Sequence, residues 1–123
     1  MNKKVLIFED DSATAELSGI IVSQLGFEVA YRSETNDVLN DVLIEKPDLI
    51  IMDNWIPGQG GLLSVELLKQ TSETSHIPII FYSANTDFAN LATSSKADAY
   101  LIKPFNLTDL EAMIGRLIFS NDK

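Results

Sequence analysis

Val5-Leu-Ile-Phe8 runs directly into Glu9-Asp-Asp11, so that four apolar residues are followed by three carboxylates. A short run that is apolar at every position is typical of a parallel strand whose two faces are both covered. Two more runs of this kind occur further along the chain, at Leu49-Ile-Ile-Met52 and Ile79-Ile-Phe-Tyr82. Together the three runs predict the centre of a parallel β-sheet.

A further apolar block at 27–31 and a weaker one at 99–102 extend this sheet to five strands. The segments between and after the strands have helical spacing. The spacing predicts that α/β alternation continues along the whole chain, with five strands and five helices. Such an alternation is typical of a doubly wound, three-layer α/β fold with right-handed crossovers.

The predicted helices differ in how clearly the sequence marks them. In the first, the residues predicted to share one apolar face are Ala13, Leu17, Ile20 and Ile21. The helix between the fourth and fifth strands is the least clear, because residues 86–95 are rich in Asn, Thr and Ser, which are modest helix formers.

Composition excludes several classes of protein. The chain has 123 residues and a net charge of −9, from 18 Asp and Glu against 9 Lys and Arg. The length predicts a single domain spanning residues 1–123, too short for a TIM barrel or for two full domains. The absence of cysteine excludes disulfides and cysteine zinc sites, and a single His excludes a histidine-rich metal site. Because phosphates attract clustered Lys and Arg, the acidic charge predicts no direct binding of nucleic acid.

No apolar run is long enough to span a membrane or to serve as the core of a signal peptide. We therefore expect a soluble, cytoplasmic protein that does not insert into membranes.

Polar residues follow four of the predicted strands, and in a doubly wound fold ligands bind at the carboxyl ends of the strands. Glu9 and Asp10 follow the first strand and Asp53 follows the third. Ser83 follows the fourth strand and Lys103 follows the fifth. These side chains are therefore predicted to meet at one edge of the sheet.

Clustered carboxylates without His or Cys favour a hard divalent cation, and Mg²⁺ is the natural candidate. The metal and Lys103 would neutralise the oxygens of a phosphoryl group, and the hydroxyl of Ser83 would donate a hydrogen bond to it. Since aspartate can form an aspartyl-phosphate, Asp53 is the candidate nucleophile.

With these pieces assembled, the chain resembles the receiver domain of two-component response regulators, of the chemotaxis type, over essentially its whole length. The resemblance implies a flavodoxin-like sheet with strand order 2-1-3-4-5. The matching segments are Val5-Leu-Ile-Phe-Glu-Asp-Asp11, Pro47-Asp-Leu-Ile-Ile-Met-Asp53, Ile56-Pro-Gly58 with Gly61, Pro78-Ile-Ile-Phe-Tyr-Ser-Ala84 and Tyr100-Leu-Ile-Lys-Pro-Phe105.

The resemblance implies that Asp53 is the phosphoacceptor and that Mg²⁺ is the cofactor. It implies four metal ligands, namely the carboxylates of Glu9, Asp10 and Asp53 and the backbone carbonyl of Trp55. The phosphoryl donor would be a phosphohistidine on a sensor histidine kinase or on a histidine phosphotransfer protein. Such a domain catalyses only its own phosphorylation and dephosphorylation and is not otherwise an enzyme.

The resemblance also implies how the phosphoryl group would be sensed. Lys103, the hydroxyl of Ser83 and the backbone N–H of Ala84 would contact it, and Tyr100 would be the aromatic switch that rotates inward. The signal would then pass on by protein–protein contact. A stand-alone receiver is the simplest interpretation, although a receiver excised from a longer regulator would have the same sequence.

The sequence departs from the family pattern at several positions. Glu9 stands where Asp is more usual, and Ser83 where Thr is commoner. Lys96 stands where Gly is typical, and residues 83–103 are slightly short, so the usual output surface is in question. The alternative function is therefore a degenerate receiver that acts only as a protein-interaction module.

Two further alternatives fit the residues less well. A flavodoxin-like cofactor binder is disfavoured because Glu9-Asp-Asp11 would repel a nucleotide phosphate. A Mg²⁺-dependent phosphatase with an aspartate nucleophile would need a second aspartate two residues after Asp53, where this chain has Trp55.

Overall fold

A computed structural model of the chain describes residues 3–84, 96–103 and 105–120. The strands are β1 (Lys4–Phe8), β2 (Glu28–Arg32), β3 (Leu49–Asp53), β4 (Ile79–Ala84) and β5 (Ala99–Lys103). The helices within the described residues are α1 (Ser12–Gln24), α2 (Val38–Glu45), α3 (Gly61–Gln70) and α4 (Leu107–Ser120). The predicted helix between β4 and β5 falls on residues 86–95, outside the described part of the chain.

The five strands form one sheet in the order β2-β1-β3-β4-β5, and every pair is parallel. The predicted sheet and strand order are thus confirmed. The register aligns the ends of the central strands, with Asp53 opposite Tyr82 and Ala84 opposite Lys103. The carboxyl ends of all five strands consequently lie along one edge.

The strands divide the core into two layers, because successive side chains point to opposite faces of the sheet. Val5, Ile7, Leu49 and Ile51 pack on the face that α1 and α4 cover. The intervening Leu6, Phe8, Ile50 and Met52 pack on the face that α2 and α3 cover. All eight side chains are buried, which explains why these runs are apolar at every position.

The predicted apolar face of α1 is wrong at three of its four positions. Ala13 is exposed, and Leu17 and Ile20 are 54% and 48% exposed, whereas the residues that α1 buries are Ala15, Ser18, Gly19, Ile21 and Val22. A Cβ at position 19 would collide with the hydroxyl of Tyr31 on β2. The helix therefore faces the sheet through small residues, which permit close approach, together with Ile21 and Val22, and it leaves Leu17 and Ile20 outside.

None of the helices in the described ranges is long and apolar enough to cross a membrane. The longest of them, α4, has 14 residues, and a membrane span needs about 20.

Candidate functional site

Three carboxylates converge at the carboxyl edge of the sheet. Glu9 and Asp10 follow β1 in the turn that leads into α1. Asp53 is the last residue of β3, which is next to β1 in the sheet. Oxygen atoms from these three residues all lie within 4.8 Å of one another. Glu9 and Asp53 are only 4% and 3% exposed, while Asp10 is exposed.

This donor set fits a hard divalent cation. Among the described residues, the clustered donor atoms are carboxylate oxygens, with no His or Cys. Like charges at this separation repel unless a cation lies between them. Asp10, which faces solvent, leaves one side of the cluster open to a hydrated ion. Mg²⁺, which keeps several of its waters, suits such a half-open oxygen site better than Zn²⁺ or Cu²⁺, which favour nitrogen or sulfur ligands.

Lys103 joins two of these carboxylates from the end of β5. Its Nζ lies 2.9 Å from Asp53 Oδ1 and 3.0 Å from Glu9 Oε1. The ammonium group thus contacts the two buried carboxylates, and it offsets one of the three negative charges of the cluster. An ionised site retains a net charge of about −2 even with this lysine in place, which leaves it attractive to a divalent cation.

Burial and hydrogen bonding shift the two buried carboxyls in opposite directions. Burial raises the pKa of Asp53 from 3.8 to about 6, although its hydrogen bond from Lys103 opposes the change. Burial also acts to raise the pKa of Glu9, but hydrogen bonds from Tyr82, Asp11 and Lys103 outweigh it, so that the pKa is lowered. Of the two carboxyls, Asp53 therefore loses its proton less readily.

The turn after β1 presents the acidic residues in a fixed arrangement. Asp11 caps α1, because its carboxylate accepts hydrogen bonds from the Thr14 N–H at 2.9 Å and the Thr14 hydroxyl at 2.6 Å. The N–H of Asp11 in turn donates to Glu9 Oε2 at 3.1 Å. Asp11 is thus a structural cap, distinct in role from its two acidic neighbours.

The loop after β3 is fixed by close packing and by a threonine. A Cβ at Gly61 would collide with the backbone carbonyl of Asp53, so glycine is needed there. The buried hydroxyl of Thr35 donates to the carbonyl of Pro57 at 2.8 Å and accepts from the N–H of Gly60 at 3.0 Å. Trp55 lies in this loop with its side chain 69% exposed.

Of the predicted sensing residues, Ser83 and Ala84 lie at the carboxyl end of β4, whereas Tyr100 is the second residue of β5. Ser83 is buried at 2% exposure and lies opposite Ile102 in the β4–β5 register, one residue before Ala84. Tyr100 is half-buried and packs against the core layer under α2 and α3. Pro104, which follows Lys103, lies outside the described residues.

Tyr82 is a member of the site that sequence reasoning missed. Its hydroxyl donates to Glu9 Oε1 at 2.6 Å, across 73 positions of sequence. The sequence marks Tyr82 only as the last apolar residue of a strand. A phenol at the end of an otherwise aliphatic and aromatic strand is the one signal that could have drawn attention to it.

Comparisons of the sequence with known proteins give consistent matches. The family model described as the response regulator receiver domain matches residues 5–115. The DNA-binding response regulator MtrA of Mycobacterium tuberculosis H37Rv is 30% identical over 124 residues, which cover 99% of this chain and 53% of that protein. The chain thus spans about half the length of the curated relatives it matches.

Solved structures resemble the fold closely. A response regulator receiver domain protein from Clostridium thermocellum superposes with a TM-score of 0.85 at 25% identity, covering 98% of this chain and 97% of that one. The receiver domain of sensor histidine kinase PA1611 from Pseudomonas aeruginosa PAO1 gives a TM-score of 0.86 at 22% identity, covering 97% and 99%. That crystal structure has a magnesium ion coordinated in its active site cleft.

Proposed function

The chain belongs to the response regulator receiver domain family, and from this premise we propose that it is the phosphoacceptor switch of a two-component system, with Asp53 as the residue phosphorylated. Phosphoacceptance is general to the family, whereas the assignment to Asp53, the Mg²⁺ requirement and the switching residues are specific to the proposal. The observation that carries it is the position of Asp53, which lies at the end of a central strand in contact with Lys103 and within reach of Glu9 and Asp10.

Glu9, Asp10 and Asp53, with the backbone carbonyl of Trp55, are the proposed Mg²⁺ ligands. When bound, the ion would supply charge neutralisation at the carboxylates and at the oxygens of a phosphoryl group. The described residues support this assignment because they bring an all-oxygen donor set together at an edge that is partly open to solvent.

The chemistry proposed for Asp53 is transfer of a phosphoryl group from phosphohistidine. An Asp53 carboxylate oxygen attacks phosphorus in line, a P–O bond forms, and the P–N bond to the imidazole breaks. The imidazole nitrogen takes back the electron pair, and the product is an acyl phosphate on Asp53. Lys103, already 2.9 Å from Asp53 Oδ1, is placed to bind the transferred oxygens.

The acyl phosphate adds a charge of about −1.5 to −2 at the end of β3. We propose that the Ser83 hydroxyl and the Ala84 N–H move to bind its oxygens, and that Tyr100 turns inward in response. Water later hydrolyses the acyl phosphate and restores Asp53. The domain therefore acts on itself and converts no external metabolite.

The proposed partners follow from this chemistry. The phosphoryl donor is a sensor histidine kinase or a histidine phosphotransfer protein, and the output is contact with another protein. A cytoplasmic location fits these partners. The acidic charge of this domain argues against direct contact with nucleic acid; the DNA binding in the printed name of MtrA belongs to a protein of which this chain spans about half.

The alternative is a degenerate receiver that binds proteins without being phosphorylated. A single experiment separates the two functions: incubation with acetyl phosphate and Mg²⁺, followed by measurement of the intact mass. We expect one added phosphate on the wild-type protein and none in the presence of EDTA.

Two variants complete this experiment. Asp53→Asn should acquire no phosphate, whereas Asp37→Asn, which alters an exposed aspartate that makes no capping hydrogen bond, should behave as the wild type. An unmodified wild-type protein would favour the interaction module. A phosphate that persists on Asp53→Asn would remove Asp53 from its proposed role.

A further inference from the structure

Tyr82 on β4 contacts Glu9, which follows β1, although β3 lies between these two strands. Tyr82 lies opposite Asp53, and Glu9 directly follows Phe8, which lies opposite Met52. Glu9, Asp53 and Tyr82 therefore occupy one row across β1, β3 and β4, with Asp53 in the middle. Since neighbouring strands lie about 4.8 Å apart, Tyr82 and Glu9 must together span about 10 Å to meet.

Both side chains are long enough for this contact. The Tyr82 hydroxyl lies 2.6 Å from Glu9 Oε1, and Tyr82 is fully buried. An aspartate at position 9 lacks one methylene group, and its carboxylate would end short of the hydroxyl. The contact thus depends on the glutamate that this chain has in place of the aspartate more usual at this position.

The Glu9 carboxylate is held at both oxygens. Oε1 accepts from Tyr82 and from Lys103 Nζ, and Oε2 accepts from the N–H of Asp11 at 3.1 Å. A glutamate side chain has one more rotatable bond than an aspartate side chain. The three hydrogen-bond donors hold the Glu9 side chain in one conformation despite this extra bond. The hydroxyl of Tyr82 is the only neutral side-chain donor among the three contacts.

The ring of Tyr82 also contacts Lys103. The Lys103 Nζ lies 4.5 Å from the ring centroid, within the range of a cation–π interaction. The ring of Phe105 packs edge-on against Tyr82, with centroids 5.6 Å apart and an interplanar angle of 66°. Tyr82 therefore touches one proposed metal ligand and the lysine proposed to bind the phosphoryl group.

We propose that Tyr82 is a positioning residue of this site: its hydroxyl fixes the Glu9 carboxylate for Mg²⁺ binding, and so compensates for the extra length of glutamate at position 9. The inference rests on the proposed function and deepens it. Residues that orient a metal ligand typically change metal affinity about 10–100-fold when they are removed.

The test is the Mg²⁺ affinity of Tyr82→Phe, measured by isothermal titration calorimetry. This variant keeps the ring and its packing on Phe105 and removes only the hydroxyl. We expect its dissociation constant for Mg²⁺ to rise by about tenfold, while Tyr31→Phe, which removes the hydroxyl of a tyrosine that is 47% exposed, leaves it unchanged. A residue that serves only the fold would lower the unfolding temperature without changing Mg²⁺ affinity.

A double-mutant cycle tests the contact from its other end. In the Glu9→Asp background the shorter carboxylate does not reach Tyr82, so adding Tyr82→Phe should change Mg²⁺ affinity by less than about twofold. Equal affinities of wild type and Tyr82→Phe would overturn the inference and leave the proposed function standing. The same tenfold loss in both backgrounds would show that Tyr82 acts by another route. A wild-type protein that binds no Mg²⁺ would overturn the metal site itself.

Discussion

Asp53 is held in an environment that disfavours its charge. The carboxyl is 3% exposed and lies beside Glu9, and burial raises its pKa to about 6. The folded state therefore binds the proton of Asp53 more tightly than the unfolded chain does, where the ordinary pKa is 3.8. Stability accordingly falls as the pH rises through this interval, and the ionised form carries the full penalty at pH 7.

Asp53→Asn should for this reason stabilise the protein in the absence of Mg²⁺ at pH 7. The amide has a similar shape, can still accept from Lys103 and carries no charge. We expect a gain of about 1–2 kcal/mol in the free energy of unfolding, measured by urea denaturation. The gain should shrink at pH 5, where wild-type Asp53 is largely protonated. An Asp53→Asn variant that is less stable than wild type at pH 7, or a gain that is equal at both pH values, would contradict this.

The sequence predicts that the acidic residues meet at one edge of the sheet, but it does not predict that Tyr82 joins them. Glu9, Asp53 and Lys103 directly end or follow strands, and the doubly wound topology alone predicts that they meet. Tyr82 reaches the site through its side chain, across two strand spacings. This contact could not be predicted from the spacing of residues in the sequence, because it depends on the register of the sheet and on the rotamer of Tyr82.

At the scale of elements, the loop from β3 to α3 depends on a residue from another loop. Thr35, which follows β2, is 1% exposed, and it forms a parallel bridge with Gly58. Its N–H and its hydroxyl both donate to the carbonyl of Pro57, each at 2.8 Å. This loop carries the backbone of Trp55, so Thr35 helps to set the shape of the proposed metal site.

Thr35→Val tests that coupling, since it keeps the side-chain shape and removes the hydroxyl. The carbonyl of Pro57 and the N–H of Gly60 each lose a buried partner, and we expect a loss of about 1–3 kcal/mol in stability by urea denaturation. Thr108→Val, an exposed position in α4, is the matched control and should change stability by less than about 0.5 kcal/mol. Equal stability of the two variants would show that the Thr35 hydrogen bonds contribute little.

Periodicity predicts the strands more reliably than the helix faces. Both faces of a buried parallel strand are apolar, so no choice between two faces has to be made. The apolar runs in β1, β3 and β4 therefore predict central strands directly. In α1, by contrast, the buried face includes Ala15, Ser18 and Gly19, whereas Leu17 and Ile20 are exposed although they are more hydrophobic. Close approach to Tyr31 favours the small residues, and hydrophobicity alone cannot reveal this.

At the scale of the whole molecule, the fold brings a small part of the acidic charge together at the carboxyl edge of the sheet. The full sequence has 18 Asp and Glu, whereas within the described part of the chain three acidic residues converge at one edge of the sheet. Repulsion among them opposes folding, and a bound divalent cation would relieve it. The proposed metal site depends on the topology that brings these three carboxylates together, and not on the net charge of −9.

Mg²⁺ should therefore stabilise the protein specifically. At a Mg²⁺ concentration about ten times the dissociation constant, binding adds about 1.4 kcal/mol, and the thermal midpoint should rise by a few degrees. NaCl at the same ionic strength is the control, because salt alone screens the surface charge. The increment beyond NaCl should be lost in Asp10→Asn, whose side chain is exposed and contributes one of the three clustered carboxylates. Equal stabilisation by the two salts would indicate screening only.

The most direct test of the central claim is to locate the phosphoryl group. Borohydride reduces an acyl phosphate on aspartate to homoserine, so treatment after incubation with acetyl phosphate and Mg²⁺ marks the phosphorylated residue permanently. Peptide mapping by mass spectrometry should then find homoserine at position 53, and none when Mg²⁺ is withheld. Reduction at Glu9 or Asp10 in place of Asp53, or no reduced residue in the Mg²⁺-treated protein, would contradict the assignment.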